Sequence, residues 1–228
     1  MKFAIIGLGY FGSSLARELA DSGHEVLAID TDEMHIREIR DAVAMAAQAD
    51  GTDFDALTQL GVAGMDTAVV AIGEGFEASL MITAHCQKLG VPRIYTRVIN
   101  EVHEHILGLM QITGKIRAES LAAGYFSRQL TNDAVRRYFG IDADHGIVEL
   151  EMPGSFDGQT LADANLRQRF RLNVVTVRRP DNADTNFTSG DSAYSVLGTP
   201  EPSLKLQKHD HLIVFGKLKD IDRFCEEK

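Results

Sequence analysis

The hexapeptide Gly7-Leu8-Gly9-Tyr10-Phe11-Gly12 is the most informative part of the sequence, because it follows an apolar run at residues 3–6 and precedes an amphipathic stretch at residues 13–22. A G-x-G-x-x-G pattern between a strand and a helix predicts a turn that binds the diphosphate of a nucleotide. Gly7 permits the tight turn, Gly9 lets the backbone approach the diphosphate, and Gly12 lets the helix pack close to the strand. The free N–H groups at the start of the helix attract the anion.

A carboxylate follows at the distance that this motif requires. Asp30 stands at the end of the next apolar run, residues 26–29, where it can accept hydrogen bonds from both ribose hydroxyls of an adenosine. Its charge repels a 2′-phosphate and so disfavours NADP. Two later turns, Asp50-Gly51-Thr52 and Ala71-Ile72-Gly73, follow further strands and are candidates to line the base. A solvated aspartate and plain strand-to-helix connections remain the alternatives for these positions.

The first half of the chain alternates apolar runs with amphipathic stretches. The apolar runs lie at residues 3–6, 26–29, 43–47, 68–72 and 94–98. Runs without polar alternation are typical of strands buried on both faces. Helices are predicted between them at residues 13–22, 32–41, 52–60 and 76–89, the second capped by Thr31 or Asp32. With right-handed crossovers, this order predicts an α/β fold with a doubly wound, Rossmann-like parallel sheet.

The second half has a different pattern. After residue 100 the sequence predicts helices at residues 101–112 and 119–139, and the latter ends at Gly140. Strand-like segments at residues 146–152, 173–177 and 212–215 then flank a helical stretch at 161–170. The polar residues between Pro180 and Pro202 indicate a long loop or a ragged hairpin. We therefore expect a first domain at residues 1–140 and a small α+β domain at residues 141–228.

Composition excludes several functional classes. The 228 residues are 44% hydrophobic and carry a net charge of −10, which argues against nucleic acid or anionic lipid as the main partner. Two cysteines cannot build a disulfide framework, and their spacing does not indicate zinc. Neither a signal peptide nor an apolar run of membrane-spanning length is apparent, so we expect a cytoplasmic protein that does not insert into a membrane.

The sequence offers no acid/base pair for catalysis. His103 and His105 lie two apart on a predicted helix and point to different faces. His209 and His211 lack a third metal ligand, and a solvated turn is the simpler interpretation. Hydride transfer needs an acid/base group and an orienting partner. We therefore expect a protein that binds a nucleotide without transforming it, and no enzyme.

Residues 2–12, 24–30 and 69–73 resemble the regulatory (RCK, or TrkA-N) domain of potassium-conductance regulators. Residues 158–167, 173–175 and 210–216 resemble the smaller TrkA-C domain that follows it. The likeness is closest to the cytoplasmic gating subunits of Ktr-type potassium transporters and covers nearly the whole chain. It implies a regulatory subunit that binds ADP, ATP or NAD(H). It also implies a homo-oligomeric ring of dimers, an octamer, docked on the inner face of the plasma membrane through a potassium-transport membrane subunit.

The resemblance also implies roles for individual residues. Arg97 matches a basic position near the phosphates, and Glu119 matches an acid that helps to hold a divalent or monovalent cation at the nucleotide. Arg167 and Asn173 match positions that bind cyclic di-AMP in some relatives. Tyr10 stands where Ktr-type regulators often carry an arginine for the terminal phosphate, which favours ADP or NAD(H) over ATP. The candidate cofactor-binding residues are Gly7, Gly9, Tyr10, Phe11, Gly12, Asp30, Asp32, Asp50, Gly51, Thr52, Ala71, Ile72, Gly73 and Arg97.

Two other functions remain open from the sequence. A small NAD-dependent oxidoreductase would need a catalytic histidine or lysine in the cleft and measurable hydride transfer. A redox or ligand sensor with a partner other than a channel would share the fold. Recovery of a potassium-transport membrane subunit with the protein would separate a sensor of that kind from a channel regulator.

Overall fold

The computed structural model describes residues 1–181 and 194–227. The chain forms two compact units, Met1–Ser120 and Leu121–Lys228. The division falls earlier than the boundary at residue 140 expected from the sequence.

The first unit is built on six parallel strands in the order β3-β2-β1-β4-β5-β6. The strands are β1 Lys2–Ile6, β2 Glu25–Asp30, β3 Met45–Gln48, β4 Thr67–Val70, β5 Arg93–Arg97 and β6 Gly114–Ile116. Strand order reverses next to β1, which pairs with β2 on one side and β4 on the other. The doubly wound parallel sheet expected from the sequence is confirmed, and its switch point lies between β1 and β4.

Helices cover both faces of this sheet. They are α1 Tyr10–Asp21, α2 Glu33–Ile39, α3 Phe54–Gln59, α4 Phe76–Lys88 and α5 Glu101–Leu109. Successive residues of β1 enter opposite hydrophobic clusters, Ala4 and Ile6 on one face and Ile5 on the other. Because side chains of a strand alternate between faces, burial on both faces requires the continuous apolar runs seen in the sequence.

Short polar side chains fix where the helices begin. Asp32 accepts a hydrogen bond from the backbone N–H of Met34 and caps α2. Asp53 and Asn100 cap α3 and α5 in the same way. These caps satisfy backbone donors that have no partner within the helix, and they leave the strand-end loops short and defined.

The sequence-based expectation of one helix at residues 119–139 is wrong. Helix α6 is Ala118–Thr131, and strand β7, Val135–Gly140, follows it. Asn132 starts the turn between them, because its side chain accepts from the N–H of Ala134 and its carbonyl accepts from the N–H of Val135. Since β7 pairs with the next strand along the chain, these residues belong to the second unit's sheet. The short strand β6 was also not predicted.

The second unit contains a five-stranded antiparallel sheet in the order β10-β9-β11-β8-β7. The other strands are β8 His145–Glu151, β9 Asn173–Pro180, β10 Tyr194–Val196 and β11 His211–Lys217. Helices α7 Leu161–Ala164, α8 Leu166–Phe170 and α9 Leu218–Cys225 accompany it, so the expected α+β class is confirmed. Of the polar stretch between Pro180 and Pro202, β10 pairs with β9 as one arm of a hairpin, and residues 182–193 lie outside the described residues.

The second unit has its own core. Phe156, Phe170 and Phe224 pack together, and each pair of rings has centroids 5.1 to 6.3 Å apart. Leu150 of β8 and Val214 of β11 reach this cluster from the sheet. Among residues 1–181 and 194–227, no helix is both long and apolar enough to cross a membrane.

Candidate functional site

A cleft of about 770 Å³ opens at the carboxyl ends of the parallel strands in the first unit. Its size is within the range of pockets that bind nucleotide-sized ligands. The candidate cofactor residues that line it are Gly7, Gly9, Asp30, Asp50, Gly51, Thr52, Ala71, Ile72, Gly73 and Arg97. Glu119 lines it as well. The cleft thus brings together residues at the carboxyl ends of five parallel strands, β1 to β5, at the switch point where ligands of doubly wound sheets bind.

Three glycines of the first loop meet three different steric demands. Gly7 has φ of +96°, and a Cβ there would lie 2.9 Å from Cγ1 of Ile72. A Cβ on Gly12 would lie 1.9 Å from the carbonyl oxygen of Gly7, so the start of α1 can approach the loop only without a side chain. A Cβ on Gly9 would meet no atom within 4 Å. Gly9 therefore leaves open space in the cleft, whereas Gly7 and Gly12 are needed by the fold.

The start of α1 presents unsatisfied donors to the cleft. Gly9 is the N-cap residue, and no side chain caps the helix. The first turn contains no acidic residue that would compete with an anionic ligand. The positive end of the helix dipole and the free N–H groups therefore favour a phosphate beside Gly9.

Asp30 has a structural role that the sequence motif did not predict. Its Oδ2 accepts from the N–H of Leu8 at 2.5 Å, and its Oδ1 accepts from the N–H of Asp32 at 2.8 Å. The carboxylate therefore ties the glycine loop to the end of β2. Each oxygen retains a lone pair for a ligand hydroxyl.

His35 was missed by the sequence reasoning. It lies in α2 and lines the cleft with its Nδ1 3.4 Å from Oδ2 of Asp30. The five-residue separation from Asp30 matches no motif, and only the turn between β2 and α2 brings the two side chains together.

The Asp50-Gly51-Thr52 turn forms another wall. Oδ1 of Asp50 accepts from the hydroxyl of Thr52 at 2.7 Å and from its N–H at 2.9 Å. The hydroxyl and then the N–H lower the pKa of the Asp50 carboxyl, so it remains charged. A Cβ on Gly51 would lie 2.9 Å from Cδ1 of Ile82. Ile6, Ile29 and Ile82 give the cleft an apolar floor. A flat, apolar base fits such a floor.

Arg97 occupies the other end of the cleft. Its guanidinium lies 5.5 Å from the ring centroid of Phe11, and its Nη1 would lie 2.9 Å from a Cβ on Gly73. It also forms an ion pair with Glu119, and this hydrogen bond lowers the pKa of the Glu119 carboxyl. Gly73 thus makes room for an arginine whose Nε is buried without a hydrogen-bond partner. A phosphate at this end would meet the cation directly.

Four candidate residues do not line the cleft. Tyr10 is 98% exposed, and its proposed contact with a phosphate stays a prediction. Phe11 supports Arg97 from beneath, Gly12 packs against the loop, and the Asp32 side chain caps α2. Any effect of Phe11, Gly12 and Asp32 on a ligand would act through Arg97, the glycine loop and α2.

The remaining predicted positions fall elsewhere. Arg167 and Asn173 line one open groove of about 280 Å³ in the second unit. His103 is buried in α5, and His211 hydrogen-bonds with Glu149 in the second sheet, so neither lies in the cleft. No group of three or more His, Cys, Asp or Glu side chains that could hold a metal occurs in the described ranges, 1–181 and 194–227. Glu119 supplies only one carboxylate, so it does not form a cation site by itself.

Comparisons with known proteins agree with the observed topology. The TrkA-N domain family matches residues 3–116. The chain is 30% identical over 223 residues to Ktr system potassium uptake protein C of Bacillus subtilis (strain 168), with 98% of this chain and 95% of that protein covered. It is 29% identical over 226 residues to Ktr system potassium uptake protein A of the same organism, with 99% and 96% covered.

Solved structures share the fold at lower sequence identity. The GsuK channel aligns with a TM-score of 0.66 and 16% identity, over 100% of this chain and 39% of the channel chain. The GsuK channel bound to NAD aligns with a TM-score of 0.62 and 18% identity, over 98% of this chain and 38% of that chain. The present chain therefore spans about two fifths of the channel chain, and these two similarities concern the fold alone.

Proposed function

The chain belongs to the TrkA-N domain family, and on that premise we propose that it is the nucleotide-binding regulatory subunit of a potassium uptake system. The observation that carries the proposal is the cleft at the switch point of the sheet. There, main-chain donors beside Gly9, the carboxylate of Asp30 and the guanidinium of Arg97 line one space. Relatives that cover nearly the whole chain are potassium uptake proteins by name.

The cleft suits an adenosine carrying a diphosphate. Asp30 accepts ribose hydroxyls, the N–H groups at the start of α1 receive the diphosphate, and Arg97 neutralises phosphate charge at the far end. ADP, ATP and NAD(H) share this adenosine diphosphate part. We favour ADP or NAD(H), because Tyr10 stands where an arginine would serve a third phosphate and its exposed side chain carries no charge.

Nucleotide binding would change the conformation of the protein by changing which group pairs with the guanidinium of Arg97. Without a nucleotide, Arg97 pairs with Glu119, in the first turn of α6. A phosphate competes for the same guanidinium and releases Glu119, which can then join phosphate oxygens in holding a divalent or monovalent cation. The nucleotide is not transformed. It shifts the equilibrium between two conformations by the difference in its affinity for them, and a difference of a few kcal/mol suffices.

Regulation of a channel requires a partner and an assembly. We propose a homo-oligomeric ring of dimers, an octamer, that docks on the cytoplasmic face of a potassium-transport membrane subunit. Each of α5 and α6 exposes more than one large apolar side chain, which supports an assembly because clustered apolar surface marks interaction sites. These side chains are Val102, Leu109, Leu121, Phe126 and Leu130.

The groove in the second unit is proposed as a second ligand site. Arg167 supplies a cation and Asn173 an amide, and Leu161, Pro200 and Pro202 supply an apolar wall. This combination suits a ligand with both phosphate and base, and cyclic di-AMP is the candidate.

Isothermal titration calorimetry with ADP, ATP and NADH tests the proposed function. We expect saturable binding of at least one of them, and binding of none would contradict the proposal. Native mass spectrometry of protein purified without added ligand would report the subunit number and any retained nucleotide. A monomer at micromolar concentration would contradict the ring.

A further inference from the structure

A ring nitrogen of His35 in the cleft has no hydrogen-bond partner. Nδ1 of His35 is buried and forms no hydrogen bond, although the ring lines the cleft. Oδ2 of Asp30 lies 3.4 Å from this nitrogen, which is too long for a good hydrogen bond. A buried ring nitrogen without a partner is costly, and in a ligand cleft it indicates that the ligand supplies the missing group.

The hydrogen-bonding capacities of Asp30 and His35 indicate which group of a ligand can bind between them. Asp30 can only accept a hydrogen bond here, whereas Nδ1 of His35 can donate one in the tautomer that carries its proton there. A hydroxyl donates through its hydrogen and accepts through its oxygen, so a single hydroxyl can serve both side chains at once. A methylene group would leave both unsatisfied, and a phosphate would be repelled by the carboxylate.

We propose that His35 is a specificity-determining residue that, with Asp30, selects a nucleotide bearing a ribose hydroxyl over its deoxy analogue. The hydroxyl donates to the carboxylate of Asp30 and accepts from Nδ1–H of His35. This inference rests on the proposed function, since it assigns a role within the same nucleotide site. His35 adds a second protein contact to the ribose, and this contact comes from α2.

The test compares ADP with 2′-deoxy-ADP and 3′-deoxy-ADP by calorimetry on the full chain. His35→Leu should weaken ADP about three- to tenfold, the worth of one hydrogen bond, and leave at least one deoxy analogue unchanged. His35→Asn places an amide donor near the position of Nδ1 and should restore part of the preference. His24→Leu is the matched control, because His24 packs on Phe3 outside the cleft.

The results of these titrations distinguish a failure of the role proposed for His35 from a failure of the proposed nucleotide-binding function. Equal weakening of ADP and both deoxy analogues would assign His35 a structural role in α2 and overturn this inference, while leaving the nucleotide site in place. Unchanged ADP affinity in His35→Leu would overturn it as well. If the unsubstituted protein bound none of the three nucleotides, the proposed function would fall, and this inference with it.

Discussion

Replacement of Gly9 by aspartate should strongly weaken nucleotide binding without damage to the fold. The backbone of Gly9 has φ of −59°, which any residue can adopt, and an added Cβ meets no atom within 4 Å. The new carboxylate would lie in the space proposed for the diphosphate. Two charges about 4–6 Å apart at an effective dielectric of about 20 repel by about 3–4 kcal/mol. Affinity for ADP should therefore fall by about 100- to 1,000-fold.

The free energy of unfolding of Gly9→Asp should not fall with its affinity for ADP. Gly9 is the N-cap of α1, and aspartate at that position accepts from free N–H groups and complements the helix dipole. We expect Gly9→Asp to be as stable as the unsubstituted protein, or more stable by about 0.3–1 kcal/mol. This combination distinguishes a blocked site from an unfolded protein.

The assay is calorimetric titration of ADP together with urea unfolding of each variant. Gly64→Asp is the matched control, since Gly64 lies outside the cleft and an added Cβ also meets no atom within 4 Å. It adds the same charge to the same unit and should leave ADP affinity unaltered. An affinity of Gly9→Asp within about threefold of the unsubstituted protein would refute the placement of the diphosphate.

Three further predictions concern the fold around the cleft. Gly12→Ala should destabilise the protein by about 1–3 kcal/mol in urea, because its Cβ would overlap the carbonyl oxygen of Gly7; an unshifted midpoint would contradict this. Burial lowers the pKa of His103, so the unfolded chain takes up the proton more readily, and stability should decline as pH falls below about 6.5. The loss should be smaller in His103→Gln, and equal slopes would argue against it. Burial raises the pKa of the Cys86 thiol to about 12, so a maleimide should label Cys86 only on unfolding, and rapid labelling of Cys86 in the native protein, located by peptide mapping, would be inconsistent with the core packing.

The local signals in the sequence predicted the first unit well. The strands are continuous apolar runs because both faces of the sheet are covered, and the glycine loop lies where a strand meets a helix. Strand β7 was mistaken for helix, because the turn at Asn132 depends on its side chain and on pairing with β8. Pairing between strands is a property of the whole chain, and a periodic pattern over a few residues does not report it.

The residues of the site also fall into those that a local motif predicts and those that depend on contacts between distant segments. Gly7, Gly9 and Asp30 belong to a motif with fixed spacing, so the sequence placed them in one cleft. His35 and the ion pair between Arg97 and Glu119 depend on where separate loops meet.

A crystal structure of the protein grown with ADP would show directly whether the cleft binds the nucleotide. We expect the diphosphate beside Gly9 at the start of α1, the ribose at Asp30, and Arg97 turned from Glu119 toward a phosphate. A nucleotide bound elsewhere on the chain, or an ion pair between Arg97 and Glu119 that stays closed over an empty cleft at saturating ADP, would contradict it.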